Sequence, residues 1–308
     1  GASHKPKTFH GMNEIGIIQD GAVFIKDGNF IDIGTTKKLK KKYTGANIKI
    51  IDATGAVVLP GFVDSHTHAV FGGNRTGEFV QRIQGKTYLE ILKKGGGIVN
   101  TVEQTRKLKF KKLAETSRKY LDTMLLHGTT TVEIKSGYGL DINTELKILK
   151  VIHHLQKTHS MDIVATFLGA HMIPPEYKND PDTYIKLVCN VLPKVKSYAT
   201  FCDTFCDVGA FSIKQSERVL KTAKSLGFRL KIHTNEFEDI GGVSLAIQLE
   251  AVSADHLDNI KHRDIVRLKE SNVICVLLPG VPFFLMKDTY APAQKMIENG
   301  LPIALATD

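Results

Sequence analysis

From Phe62 to Asp308 the chain repeats one pattern, a short apolar run followed by a longer stretch with helical spacing. The runs begin with FVDSHTH after the Pro60-Gly61 turn and recur at 128–139, 162–171, 200–211, 228–236, 251–256, 273–280 and 301–308. Stretches such as 144–158, 216–227 and 262–272 carry helical periodicity, as does 87–126, broken at Gly95-Gly96-Gly97. Strand-like runs alternating with helices predict an α/β chain with a parallel sheet. Eight of them predict a (β/α)8 TIM barrel, whose chemistry sits at the C-terminal ends of the strands.

Those ends carry ionisable side chains. His66 and His68 stand in the first run, and alternation along a strand would turn both imidazoles to one face, where they can share an ion. Later runs reach His171, His233, His256 and Asp308. Taken singly, a buried histidine is more often a hydrogen-bonded core residue. An ordered set on one rim points to function. Catalytic zinc takes three or four His and carboxylate ligands and keeps a position for water, and His66, His68, His233 and Asp308 fit that set. Water on such an ion ionises near neutral pH, so hydrolysis is the natural chemistry. Glu236, just past His233, is placed to shuttle a proton between the water and a leaving nitrogen. His256 is placed to orient the water or to hold a developing oxyanion.

At 308 residues and 42% hydrophobic, the chain can bury a core of barrel size. The formal net charge of +9 is spread widely apart from KKLKKKY at 37–43. A run of that kind reads as a solvated helix face, so no nucleic-acid partner is expected, while a small anionic substrate is compatible. The four cysteines, Cys189, Cys202, Cys206 and Cys275, form no CxxC framework and read as reduced packing residues. With no signal peptide and no bilayer-length apolar run, the expectation is a cytoplasmic protein with no membrane partner.

Residues 1–56 read as short strands and turns, with a hairpin across Asp27-Gly28-Asn29, and are assigned to the N-terminal part of a small β-sandwich domain. The barrel is assigned to 57–308. Its eighth strand ends at Asp308 with no helix after it, and the opening hairpin has no partner strands, so the chain is expected to be truncated at its C-terminus.

PGFVDSHTH, the His of KIHTNE, the His of SADH and the Asp of ATD resemble the metal-dependent amidohydrolase superfamily. Within it, HTHAVFGGNRTGEF, GGGIVNTVEQTR, GTTTVEIKSGYGL, FLGAHMIPPEY, KIHTNE, AVSADHL, VLLPG and ALATD resemble the imidazolonepropionase family, over about Gly11 to Asp308. That resemblance implies a histidine-degradation hydrolase that opens the ring amide of 4-imidazolone-5-propanoate to N-formimino-L-glutamate. It implies one zinc or iron ion on His66, His68, His233 and Asp308, and a homodimer is compatible with it. It also implies substrate contacts from Arg75, Tyr138, His171 and Glu236, and a catalytic set of Glu236, His256 and Asp308. A guanidinium at Arg75 suits the propanoate carboxylate. The glycines beside Tyr138 would let backbone approach a ligand, or serve a structural turn.

The resemblance leaves rivals. An aminohydrolase of nucleobases shares the ligand pattern, but a pyrimidine offers Arg75 no carboxylate. A binuclear hydantoinase would need a carboxylated lysine on the fourth strand, which 200–211 lacks; Lys135 lies on the second and reads as structural or supporting. An inactive binding barrel is opposed by the full ligand set with Glu236.

Overall fold

The computed structural model describes residues 6–43, 47–86, 90–91 and 95–308, so part of the predicted helical stretch at 87–94 lies outside the described residues. The chain divides into two compact units, Gly1–Pro60 and Gly61–Asp308. In the first, strands β1 (Gly21–Lys26) and β2 (Asn29–Thr35) pair antiparallel. Asp27 and Gly28 both adopt positive φ, 51° and 73°, the geometry of the tight hairpin turn that the sequence predicts there. Thr35 then caps the helix Thr36–Lys42, accepting a hydrogen bond from the Lys38 N–H. That helix buries Leu39 and exposes the lysines of KKLKKK, as expected of a solvated face.

The second unit contains eight parallel strands in sequential order: β3 (Phe62–Asp64), β4 (Thr129–Lys135), β5 (Asp162–Ala170), β6 (Phe201–Cys206), β7 (Arg229–Thr234), β8 (Ser253–His256), β9 (Ile274–Leu277) and β10 (Ile303–Leu305). Helices connect them, including Phe110–Leu126, Ile142–Thr158, Pro181–Val195 and Ile213–Ser225. The eight runs read from the sequence are these strands, shorter than predicted where a run continues into its loop. Among the described residues no helix is long and apolar enough to cross a membrane.

Alternation sorts the strand residues into two walls. Val132, Ile134, Cys202, Leu230, Ile232 and Ala254 join one apolar core with helix residues such as Ile148, Leu149, Val219 and Leu220. The intervening residues, Glu133, Lys135, Asp203, Lys231 and Asp255, are also buried, and they pair with one another. The interior of this barrel is therefore a charge network, where many such barrels stack branched apolar side chains.

The ring closes through side chain and backbone. Past β10, Thr307 donates to the Asp64 carboxylate from its N–H (3.2 Å) and its hydroxyl (2.6 Å), and the Asp308 N–H donates to the His66 carbonyl at 3.0 Å. Losing one such bond costs about 1 to 3 kcal/mol. We expect Thr307→Val and Asp64→Ala each to destabilise by about that much. The double variant should cost little more than Asp64→Ala alone, because both remove the same contact. Urea unfolding of the four forms checks this; full additivity would mean that the closure lies elsewhere.

Candidate metal centre and active site

The strand β3 ends at Asp64, so His66 and His68 lie beyond it, a correction to their placement on the strand itself. Strand-like geometry nevertheless continues. The His66 carbonyl accepts from Asp308 N–H on one side and the Thr67 carbonyl from Lys135 N–H (2.9 Å) on the other. Successive carbonyls thus point to opposite neighbours, and the two imidazoles share one face with their centroids 5.5 Å apart.

His233 arrives near the end of β7, 4.4 Å from the His66 ring. Asp308 Oδ1 lies 3.3 Å from His66 Nε2 and 3.4 Å from His68 Nε2. Among the described residues, ligand atoms fall within 4.8 Å of one another in three overlapping sets: His66, His68 and Asp308; His66, His233 and His256; His68, His171 and His233. The expected ligands His66, His68, His233 and Asp308 are linked through the first two sets, no set holds all four, and His171 and His256 belong to these sets as well.

The donor set fits a metal ion. His66 Nε2, His68 Nδ1 and His233 Nε2 are buried without a hydrogen-bond partner among the described residues, a costly state for nitrogen lone pairs unless a cation takes them. Burial, reinforced by neighbouring positive charge, holds His66, His68 and His256 well below the ordinary histidine pKa. Burial also pushes His171 down to about 3. Neutral imidazoles are the form that binds metal.

Carboxylates lie behind the candidate ligands. Asp255 Oδ2 lies 2.6 Å from His66 Nδ1 in a hydrogen bond. Asp203 Oδ2 lies 3.0 Å from His233 Nδ1, at an angle short of a hydrogen bond. Lys135 Nζ bonds Asp203 (2.7 Å) and Glu133 (2.8 Å) and reaches Asp255 at 3.6 Å. Burial alone would lower the Lys135 pKa, but Asp203, Glu133 and Asp255 outweigh it and hold the ammonium protonated. It is therefore no metal ligand.

Glu236 sits in the loop after β7, 7% exposed, and does not begin a helix. Asp207 fixes that loop, its two carboxylate oxygens accepting from the N–H groups of Glu236 (2.8 Å), Phe237 (3.0 Å) and Glu238 (3.0 Å). The Glu236 carboxylate faces His256 Nδ1 at 3.8 Å and Lys287 Nζ at 3.6 Å. Burial pushes its pKa up to about 8 against the pull of Lys287.

His256 shares strand parity with Ala254, on the outer wall, yet its ring lies 5.3 Å from those of His66 and His233. A left-handed backbone, φ 80° at His256 and 64° at Leu257, ends the strand and turns the ring to the site.

The loop after β4 resolves the two readings of its glycines. A Cβ on Gly137 (φ 108°) would meet the Leu168 carbonyl at 2.8 Å, and one on Gly139 would meet the Glu145 N–H nitrogen at 2.7 Å, so both glycines serve protein packing. Glu145 pins the loop, accepting from the N–H groups of Gly137, Gly139 and Leu140. Tyr138 is thereby held 5.2 Å from His68 and 5.3 Å from His171. His171 stacks on His68 at 4.8 Å while its Nδ1 contacts the Gly137 carbonyl at 3.0 Å. Arg75 precedes the helix Thr76–Ile83 and is partly buried; among the described residues its guanidinium makes no hydrogen bond or ion pair, yet its charge is felt at His171 and Asp308. Asp203, Asp255, Asp207 and Lys287 were not singled out by sequence reasoning; the inward parity of the first two was the available signal.

The Amidohydrolase family profile matches residues 57–308. The imidazolonepropionase of Alkaliphilus oremlandii is 47% identical over 310 residues, covering 100% of this chain and 74% of the relative. That of Clostridium tetani is 47% identical over 300 residues, covering 96% and 71%. Among solved structures, Escherichia coli guanine deaminase superposes with a TM-score of 0.68 at 17% identity, covering 94% of this chain and 67% of that one. A 5-methylcytosine deaminase from Klebsiella pneumoniae gives 0.69 at 14%, covering 93% and 71%. At such identities the two structures speak for the barrel fold alone. The chain belongs to the amidohydrolase family and, within it, to the imidazolonepropionases.

Proposed function

We propose that the protein hydrolyses the ring amide of 4-imidazolone-5-propanoate to N-formimino-L-glutamate in histidine degradation. The observation that carries the reading is one cluster holding an ion-ready histidine–aspartate set, a buried carboxylate and an uncommitted arginine. His66, His68, His233 and Asp308 would hold one zinc or iron ion, donors that suit either metal. Such an ion polarises a carbonyl and makes water acidic near neutral pH.

The chain's own groups do the rest. Glu236, with a pKa near the working pH, takes the proton of the attacking water and delivers it to the departing ring nitrogen, and Asp308 shares in the acceptance. His256, neutral and facing Glu236, donates to the oxygen on which negative charge develops. Arg75 holds the propanoate carboxylate in a planar fork, while Tyr138 and His171 form the wall beside His68. The first unit reads as part of a small β-sandwich domain, supported by the exposure of Ile25, Phe30 and Ile31 on its antiparallel pair.

Imidazolonepropionate absorbance should fall only in metal-loaded protein, with one ion per chain and formimino-glutamate as product. A chelator should abolish the loss, and cytosine and guanine should release no ammonia. Ammonia from a nucleobase instead would assign the site to the deaminases. Arg75→Gln should raise KM by roughly 10- to 100-fold with a smaller effect on kcat, the size of a lost charge-assisted pair. An unchanged KM would remove Arg75 from the substrate.

Glu236→Gln should lower kcat by about 10²- to 10⁴-fold with metal retained. Proton acceptance needs the carboxylate, so the rate should rise with pH through the Glu236 pKa. The ion's charge will draw that pKa below the value of about 8. The limb should vanish in Glu236→Gln; a limb that persists would belong to another group.

A further inference from the structure

The lysine at the centre of the inner wall touches neither the expected ion nor the space in front of it, yet it reaches the supports of two ligands. We propose that Lys135 is a positioning residue for the metal: its ammonium joins Asp203 and Asp255, the carboxylates beside Nδ1 of His233 and His66, and so directs the Nε2 of both rings to the ion. This rests on the metal-centre reading of the site.

Three observations combine. Among the described residues, Lys135 is the cation within ion-pair distance of both Asp203 (2.7 Å) and Asp255 (3.6 Å), and its side chain is fully buried. A carboxylate clamped by an ammonium is an acceptor only, so at His66 Asp255 takes the proton of Nδ1 and leaves Nε2 as a lone pair, and Asp203 is placed to do the same at His233. At His66 the Nε2 is the ring nitrogen left without a partner among the described residues; at His233 both ring nitrogens are, with Asp203 lying 3.0 Å from Nδ1.

The same residue also works through its backbone. Its N–H holds the Thr67 carbonyl, midway between His66 and His68. One residue thus sets the backbone of the paired histidines and the carboxylate behind one of them. Lys231 plays a lesser part on the same wall, donating to the Ser65 carbonyl at 2.8 Å and lying 3.3 Å from Asp255. It lies near the His66 support but forms no ion pair with Asp203, so its removal should disturb one ligand.

The test is zinc affinity, by competition with a chromophoric chelator, together with the visible spectrum of the cobalt(II)-loaded protein. Lys135→Met should bind zinc roughly 10- to 100-fold more weakly, as for other lost supports of metal-bound histidine, and show altered cobalt bands. Lys231→Met should shift both in the same sense by about threefold or more. Leu149→Ala, which cuts the outer core, should lower the melting temperature and leave affinity and spectrum at wild-type values. If Lys135→Met does not fold, Lys231→Met decides. Wild-type affinity and spectrum in a folded Lys135→Met, or in Lys231→Met where it decides, overturns the proposal. A wild-type chain that takes up no zinc, cobalt or iron would instead remove the metal reading beneath it.

Discussion

Charge buried without water has to be satisfied by other charge, and in this barrel that requirement organises the wall beneath the site. Glu133, Asp203 and Asp255 share the space with Lys135 and Lys231, and all five are at most 5% exposed. Burial alone would drive the ammonium of Lys135 neutral and raise Asp203. Their pairing reverses both, holding Lys135 raised and, with His233, Asp203 lowered. Such networks seldom add stability over an apolar packing of the same volume, because desolvation consumes most of the Coulomb gain. Removing a single member is another matter, since it strands the rest. What the network supplies is geometry: Asp255 grips His66, Asp203 approaches His233, and the backbone of Lys135 holds Thr67.

The ligand face above is the mirror of this arrangement. Below, charges neutralise one another; above, the imidazoles of His66, His68, His171 and His256 are made neutral by burial and by mutual repulsion of their protonated forms. Buried ring nitrogens left without a hydrogen-bond partner among the described residues, as at His66, His68, His233 and His256, are stable only if a cation joins them or the cost is met elsewhere in the fold. Barrel closure brings the remaining candidate ligand. The bonds from Thr307 to Asp64 and from Asp308 to His66 place the last carboxylate beside the first two histidines, so fold closure also assembles the candidate ligand set.

Much of this was legible in the residues. The spacing of eight apolar runs foretold the strand order, and the histidines at their ends marked the rim. What periodicity could not convey was where alternation breaks. It put His66 and His68 on a strand that stops at Asp64, and it would put His256 on the outer wall with Ala254. The first pair keeps its shared face through bonds from neighbouring strands, and His256 returns to the site through a left-handed turn. Asp203 and Asp255 escaped attention because one carboxylate inside an apolar run looks like a tolerated exception. Only their pairing across β4, β6 and β8 shows them to be one device. Asp207 was hidden for another reason: its partners in that loop are backbone N–H groups 29 to 31 residues away, which no side-chain pattern reports.

Backbone strain also falls at the candidate site. Asn235 after β7, His256 and Leu257 at the end of β8, and Asp308 after β10 all take positive φ, a region that costs a non-glycine residue about 1 to 3 kcal/mol when the surroundings impose it. Other turns of the barrel enter the same region at glycine, as at Gly137, Gly209 and Gly241, and at Leu140, Glu250 and Met286. Glycine would relieve the backbone at these four positions, but it would delete the imidazole at His256 and the carboxylate at Asp308. The strain is tolerated because bonds around it hold the chain in place: Leu257 N–H to the Thr234 carbonyl, Asn259 N–H to the Asn235 carbonyl, and Asp308 N–H to the His66 carbonyl. Side chains needed at the rim thus set the backbone there, and the ladders of the neighbouring strands hold it against relaxation.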